Sequence, residues 1–498
     1  MNKPLRRIAI FCGLLVMALL VRTNWVQFVQ ADELKNDTKN RRVSIARYAQ
    51  PRGNIVVDGK SVTGSAATDG TDFKYKRTYK DGQMWAPVTG YASQAFGASQ
   101  LEKLYDPILT GDDDRLFFNR TIDMITGKPQ KGGNVVTTLN AKAQKAAYDG
   151  LGDKKGAVAA IDPSTGAILA LANKPSYDPS AFAGNSKKDS NAWTALQKKS
   201  DDSDPMLNRA LRQTYPPGST FKVVTAAAGL ESGNYDVDSK TDSPDPYRLP
   251  GTQKDLGNEG NIPQCKNASI RVALQWSCNT VFAKMSDEIS NKGMIEEAEK
   301  FGFKQGIEGE GGPMDPDLET PVRPAKSVYP KDTPPQNAQA GIGQASNRAT
   351  PLQMAMVASA VANDGKLMKP YMMDKLVAPN LNTVEQTKPK ELSQPVSSEN
   401  AQKLQSAMET VVEKGTGTAG KIPGVTVGGK TGTAQHGEDN KDNPYAWFIS
   451  YAKTSDGSPV AVAVVVESSN TLRDDIAGGK LAAPIAKSVM EAVLDEKR

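Results

Sequence analysis

Gly156-Ala157-Val158-Ala159-Ala160-Ile161-Asp162-Pro163-Ser164-Thr165-Gly166-Ala167-Ile168-Leu169-Ala170-Leu171-Ala172 reads as strand, turn, strand. Ala157 to Ile161 and Ala167 to Ala172 are apolar runs of strand length, and Asp162 to Gly166 between them carries turn chemistry. The last third returns to this texture. Val425-Thr426-Val427 leads into Lys430-Thr431-Gly432-Thr433, and Ala446 to Ala452 and Val460 to Val466 are two more apolar runs of strand length. Leu481 to Leu494 reads as an amphipathic closing helix, and Phe221 to Leu230, rich in Ala and Val and stopped by Gly233, as an internal one. Strands at both ends with helices between predict an α+β fold built on one antiparallel sheet whose first and last strands are neighbours. Loops rich in Ser, Asp and Lys are expected from about Gly184 to Asp204, and irregular Pro- and Gly-rich stretches from Asp236 to Pro263 and from Gly306 to Pro335.

Upstream of Gly156 lies a smaller mixed module. Pro51-Arg52-Gly53-Asn54-Ile55-Val56-Val57 is a turn entering a strand, Asn134 to Leu139 is a second strand pattern, and Ala141 to Ala147 is helical. No nucleophile or carboxylate pair stands out there. Ahead of it, Lys3, Arg6 and Arg7 precede an apolar run from Ile8 to Val21, continued by Trp25, Val26, Phe28 and Val29. With Arg22, Asn24 and Gln27 in the outer interface this stretch can span a bilayer, and the basic flank places the start in the cytoplasm. The expectation is a cytoplasmic tail at 1–7, a transmembrane signal anchor at 8–29 and an extracytoplasmic body. The competing reading, a cleaved signal peptide, has only Val29-Gln30-Ala31 as a poor cleavage site.

The 498 residues, 38% hydrophobic and 23% charged, suffice for two or three domains with full cores. The net charge of +5 is small, and no basic tract is interleaved with aromatics, so nucleic acid is not expected as a partner. One histidine and three cysteines, widely scattered, lack metal-ligand spacing, and no metal or cofactor is expected. Cys12 lies in the apolar run. Cys265 and Cys278 lie outside it, where a disulfide could persist; the alternative is a buried packing thiol at Cys278 and an unrelated Cys265.

Ser219-Thr220-Phe221-Lys222 opens the internal helix, so Ser219 and Lys222 share a face. A serine needs a base to become a nucleophile, and a lysine can be that base if burial or a neighbouring cation lowers its pKa. Ser219 at a helix start also offers a backbone N–H to an oxyanion. The same spacing recurs at Ser450-Tyr451-Ala452-Lys453, but in a strand pattern, where residues three apart face opposite sides. Ser277-Cys278-Asn279 shares its pattern with Ser232-Gly233-Asn234, Ser398-Glu399-Asn400 and Ser468-Ser469-Asn470; position alone selects it, after the helical segment Ile270 to Trp276. On a strand, Lys430 and Gly432 face one side and Thr431 and Thr433 the other, with the glycine expected to admit a substrate backbone. The plainer reading is an edge strand with a charged guard. His436 is expected to be a loop residue near the cleft mouth.

Taken together and in this order, Ser219–Lys222, Ser277–Asn279 and Lys430–Thr433 form the signature of penicillin-recognising serine acyl transferases. Tyr215-Pro216-Pro217-Gly218, Gly341-Ile342-Gly343-Gln344, Thr350-Pro351-Leu352-Gln353-Met354, Gly415-Thr416-Gly417-Thr418, Pro51 to Ile55 and Leu101 to Asp106 sharpen the match. The chain resembles class B penicillin-binding proteins over nearly its full length, most closely an actinobacterial type. The resemblance implies a non-catalytic pedestal or dimerisation-like module at 30–155 and a penicillin-binding transpeptidase domain at 156–498. It implies a peptidoglycan D,D-transpeptidase inhibited by β-lactams and acting in division or growth, with stem peptides as substrates and a membrane glycosyltransferase as partner. Ser219 would be the nucleophile, Lys222 its base, and Ser277 and Asn279 the proton relay and amide holder. Lys430, Thr431 and Thr433 would hold the terminal carboxylate, with Gly432 between them. A β-lactamase or D,D-carboxypeptidase is disfavoured by the anchor and leading module, and by the lack of a segment resembling a deacylating glutamate loop. A β-lactam sensor is disfavoured by the single apolar run.

Overall fold

The structure, a computed structural model, describes residues 3–36, 40–127, 131–197, 203–260, 262–306 and 324–497. The irregular stretch expected from Gly306 to Pro335 falls mostly outside them. At the amino end, Lys3–Phe28 forms one helix, α1, with none of its side chains buried. Its length, about 39 Å at 1.5 Å per residue, and its composition suit a single membrane crossing.

The larger, downstream part of the chain is organised by five strands: β1 (Lys155–Ile161), β2 (Ile168–Lys174), β3 (Thr426–Ala434), β4 (Tyr445–Thr454) and β5 (Gly457–Ser468). They run antiparallel in the order β3-β4-β5-β1-β2, so the first strand of the domain lies beside the last, with Val158 opposite Val464. Helices cover both faces, which is why Ala157–Ile161, Ile168–Ala172 and Val460–Val466 are apolar without interruption. Val158, Ala160, Phe448, Val462 and Val464 pack on Ala143, Ala147 and Leu151 of α2 (Ala141–Leu151) and on Val489, Met490 and Val493 of α8 (Ala483–Lys497). Ala157, Ala159, Ala461, Ala463 and Val465 face the opposite layer. That layer contains α3 (Lys222–Glu231), α4 (Ile270–Trp276), α5 (Asn279–Lys300), α6 (Pro351–Ala362) and α7 (Ser398–Lys414). The small side chains on this face let α6, buried along Pro351–Val361, lie close to the sheet.

The upstream module is not closed on itself. Its mixed sheet orders Thr383–Gln386, Met373–Val377, Asn134–Thr137, Ile55–Val57 and Lys60–Ser61, so two of its five strands come from late in the chain. Beneath it, Glu102 bridges Arg52 (3.0 Å) and Arg77 (2.5 Å), all three side chains being 2% exposed or less.

Two expectations are corrected. Within the stretch expected as loop from Gly184 to Asp204, Lys187–Gln197 forms a helix. Asp189 accepts from the N–H groups of Gly184 (2.8 Å) and Ser186 (3.0 Å) at its start, and Trp193 stacks on Phe96 with ring centroids 4.7 Å apart. One aromatic anchor and an N-terminal carboxylate outweigh the polar composition. The closing helix is also divided: Gly478–Leu481 is a separate turn, and α8 restarts at Ala483-Pro484, where the proline has no N–H to lose.

Candidate active site

Ser219 sits in a short 3₁₀ turn, Gly218–Phe221, that feeds directly into α3. The turn is clamped from several sides. Gly218 N–H donates to Gly343 O (2.9 Å), Thr220 Oγ1 to Pro217 O (2.6 Å), Trp447 Nε1 to Pro216 O (3.1 Å), and Thr225 Oγ1 to Gly341 O (2.6 Å). Gly343, at φ +77°, cannot carry a side chain, because a Cβ there would lie 2.0 Å from Gly218 O. Thus Tyr215–Gly218 and Gly341–Gln344, far apart in sequence, form one support. The Ser219 hydroxyl lines a cleft of about 590 Å³ with Asn279, Glu259, Arg348, Thr433 and His436, and makes no hydrogen bond among the described residues.

Lys222, one residue into α3 and fully buried, donates through Nζ to Ser277 O (2.6 Å), Asn279 Oδ1 (2.6 Å) and Ser277 Oγ (3.3 Å). Lys430 Nζ, also fully buried, donates to Ser277 Oγ (2.9 Å) and Thr431 O (2.9 Å). The Ser277 hydroxyl therefore stands between two lysine amines. Burial, and then the Lys430 charge, push the Lys222 ammonium well below its usual pKa range. Burial brings Lys430 down to about 7, with the Glu259 carboxylate pulling it back up.

Ser277 reaches this position because it ends α4 in the left-handed region, at φ +62°. A non-glycine residue there costs about 1–2 kcal/mol, so something must hold it. Two restraints do. Cys278 is bridged to Cys265, with Cα atoms 5.4 Å apart, and Asn258 Oδ1 accepts from Asn279 N–H (2.6 Å) and Thr280 N–H (3.2 Å) at the start of α5. The bridge resolves the alternatives left open for the two cysteines. By the chain-entropy account, a loop this short gives about 3 kcal/mol. Reducing it is expected to slow penicillin labelling about tenfold, through misplacement of Ser277. A labelling time course with and without reductant measures this, and a melting temperature that drops while labelling is unaltered would leave the bridge a purely stabilising role. Thiol titration of the denatured, unreduced chain should find Cys12 alone.

On β3, the edge strand, the plainer reading of a charged guard does not hold. Lys430 is no surface guard; it is fully buried under the cleft. At Gly432 a Cβ would meet Thr220 Cγ2 at 3.0 Å and Pro217 O at 3.2 Å, so the missing side chain lets the Ser219 turn seat against the strand. Thr431 Oγ1 shares a hydrogen bond with Thr416 Oγ1 (2.6 Å), and Thr433 lines the cleft. Ser219 and Lys222 share the turn, yet in this structure Lys222 is bonded to Ser277 and Asn279, with no hydrogen bond to Ser219. Ser450 is buried in β4, donating to the Met490 sulfur (3.6 Å), whereas Lys453 is exposed and donates to Gln405 Oε1 (2.9 Å), so the two do not act as a pair. His436 is at the cleft mouth, stacked on Tyr445 at 3.9 Å with Nε2 2.7 Å from Asn443 O.

Sequence reasoning missed Asn258, Glu259 and Arg473, and quoted Thr416 in a motif without its hydrogen bond to Thr431. Asn258 and Glu259 fall in the irregular stretch 236–263, which has no periodicity to read. Arg473 donates to Lys441 O (2.8 Å), Asn440 O (2.6 Å), Asp442 O and Gln435 Oε1 (3.1 Å), holding the loop between β3 and β4 over the cleft. Only that loop's four inward carbonyl groups identify it, and these exist only in the fold.

Residues 156–491 match the penicillin-binding protein transpeptidase domain, and residues 52–135 the penicillin-binding protein A dimerisation domain. The chain is 39% identical over 505 residues to the peptidoglycan D,D-transpeptidase PbpA of Mycobacterium tuberculosis, covering 99% of each chain. It is 38% identical over 510 residues to PbpA of Mycolicibacterium smegmatis, covering 100% of each. The solved ceftriaxone acyl-enzyme of penicillin-binding protein A from M. tuberculosis superposes with a TM-score of 0.83 at 38% identity, over 90% of this chain and 100% of that one. Matched along its whole length, with two buried lysines hydrogen-bonded to one serine hydroxyl, the chain belongs to the family of class B penicillin-binding protein transpeptidases.

Proposed function

We propose that the chain is a peptidoglycan D,D-transpeptidase working through an acyl-enzyme on Ser219, and that β-lactams acylate the same oxygen. The observation that carries this reading is the Ser277 hydroxyl held between Lys222, on the helix that follows Ser219, and Lys430. Lys222, whose pKa burial pushes well below its usual range, accepts the Ser219 proton as Oγ attacks the carbonyl between the two terminal D-alanines of a stem peptide. The backbone N–H groups of Ser219 and Thr433 receive the oxyanion. The proton then passes by way of Ser277 to the leaving nitrogen, the C–N bond breaks, and D-alanine departs. Asn279 orients the donor amide, while Lys430 with the Thr431 and Thr433 hydroxyls holds the terminal carboxylate. Aminolysis of the Ser219 ester by a second stem peptide makes the crosslink.

The organisation that serves this chemistry is a tail at 1–7, an anchor at 8–29, a non-catalytic module at 30–155 and the catalytic domain at 156–498. The basic residues ahead of α1 support an extracytoplasmic body. A separate membrane glycosyltransferase would supply the glycan strands, since the leading module is too small to be one.

The test is incubation of the chain with a D-Ala-D-Ala thioester and candidate amines, following transfer against hydrolysis. Transfer that outpaces hydrolysis and is blocked by penicillin is the expected result. Hydrolysis alone would make the protein a carboxypeptidase instead.

A further inference from the structure

An acyl-enzyme of this kind must bind two peptides of opposite local charge. The donor ends in a carboxylate and is met by cations. The acceptor arrives as an ammonium, and an ammonium is repelled by the lysines that serve the donor.

The cleft carries one feature suited to the second task. Of the described residues lining it, Glu259 alone bears a carboxylate, among Arg348, His436 and a series of amides. Its loop is not loosely placed. Asn258, the preceding residue, caps α5 through Asn279 N–H and Thr280 N–H and donates to Thr280 Oγ1 (3.1 Å), and Gly257 O accepts from Asn279 Nδ2 (3.3 Å). Glu259 is thereby tied to the same turn that holds Ser277. It forms no ion pair with any described residue, and its side chain is exposed to the cleft. Its charge is felt at both buried lysines, which it draws toward their protonated forms, so its field extends to the reacting atoms.

We infer, on the transpeptidase reading above, that Glu259 docks the ammonium group of the acceptor stem peptide and so favours aminolysis of the acyl-enzyme over hydrolysis. The ammonium forms a charge-assisted hydrogen bond to the carboxylate and releases one proton to solvent water. The neutral amine then attacks the acyl carbonyl: the C–N bond forms, the ester C–O bond to Ser219 breaks, and the second amine proton returns to Ser219 Oγ through Lys222. The recognised class is a peptide bearing a side-chain primary amine, such as a diamino acid residue in a stem peptide.

The experiment compares two nucleophiles on the full-length chain in detergent with a D-Ala-D-Ala thioester donor. One is a tripeptide with a lysine side chain, cationic at neutral pH; the other is hydroxylamine, which is uncharged there. Glu259→Gln should raise KM for the cationic tripeptide about fivefold, the size of an exposed ion pair, with a smaller change for hydroxylamine. Glu259→Asp should recover most of the loss, and added salt should narrow the gap between wild type and Glu259→Gln. Equal losses for both nucleophiles, or no change in the tripeptide KM, would overturn the assignment. A wild-type chain that is labelled by penicillin but transfers to neither nucleophile would instead overturn the transpeptidase reading on which it rests.

Discussion

Lys222→Ala is expected to lower the second-order rate of penicillin acylation by about a thousandfold, within the range of a lost general base. Lys430→Ala should lose about tenfold to a hundredfold, because the Thr431 and Thr433 hydroxyls remain while one carboxylate partner and one relay donor go. The pH profile distinguishes the two roles further. Lys222 must be neutral to accept a proton, so the rate should rise with pH through its folded pKa, which burial and Lys430 push well below the ordinary value. Lys430 must be charged to attract the carboxylate, so the rate should fall again as pH passes about 7. In Lys430→Ala the alkaline fall should vanish. The acid limb should move to higher pH as well, since removing a like charge lets the Lys222 pKa rise. Stopped-flow acylation across pH checks each statement, and similar mild losses in both variants would point to another base. Ser219→Ala should abolish covalent labelling altogether in the same assay.

The legible part of this protein was the part with short-range periodicity. Ala157–Ile161 and Val460–Val466 are apolar at every position because both faces of the sheet are covered, and that pattern sufficed to pair the first strand with the last. Ser219 and Lys222 could be placed on one turn because three residues make nearly one turn of helix. What could not be read was anything fixed by contact between distant segments. Asn258 acts only because a loop without periodicity folds onto the start of α5. The packing of Gly432 on Thr220, more than two hundred residues earlier, leaves no trace in local sequence. The upstream module likewise could not reveal that Met373–Val377 completes its sheet, since strand partners are chosen by the fold.

Glu102→Ala should be the most destabilising single change in that module, at about 3–5 kcal/mol. Glu102 is fully buried and answers two guanidinium groups, Arg77 through Nε and Arg52 through Nη2. Arg52 keeps a second carboxylate, Asp106, at 2.7 Å, so its charge would remain partly neutralised. Arg77 would not be so placed. Its remaining acceptors are the carbonyls of Gly53 (2.8 Å) and Gly64 (3.3 Å), and its Nη2 is already buried without a partner. Alanine would therefore leave a cation and a cavity where a carboxylate stood, the costliest way to break a buried pair. Glu102→Gln should cost less, because the amide oxygen can still accept one hydrogen bond in the same volume. Because Asn134–Thr137 lies between Ile55–Val57 and Met373–Val377, loosening the module should reach the catalytic half through shared strands. Thermal unfolding of the two variants, followed alongside penicillin labelling, measures both effects. A loss below about 1 kcal/mol in Glu102→Ala would mean that water enters to solvate Arg77. Labelling that survives intact while the module melts would show that the catalytic sheet stands without it.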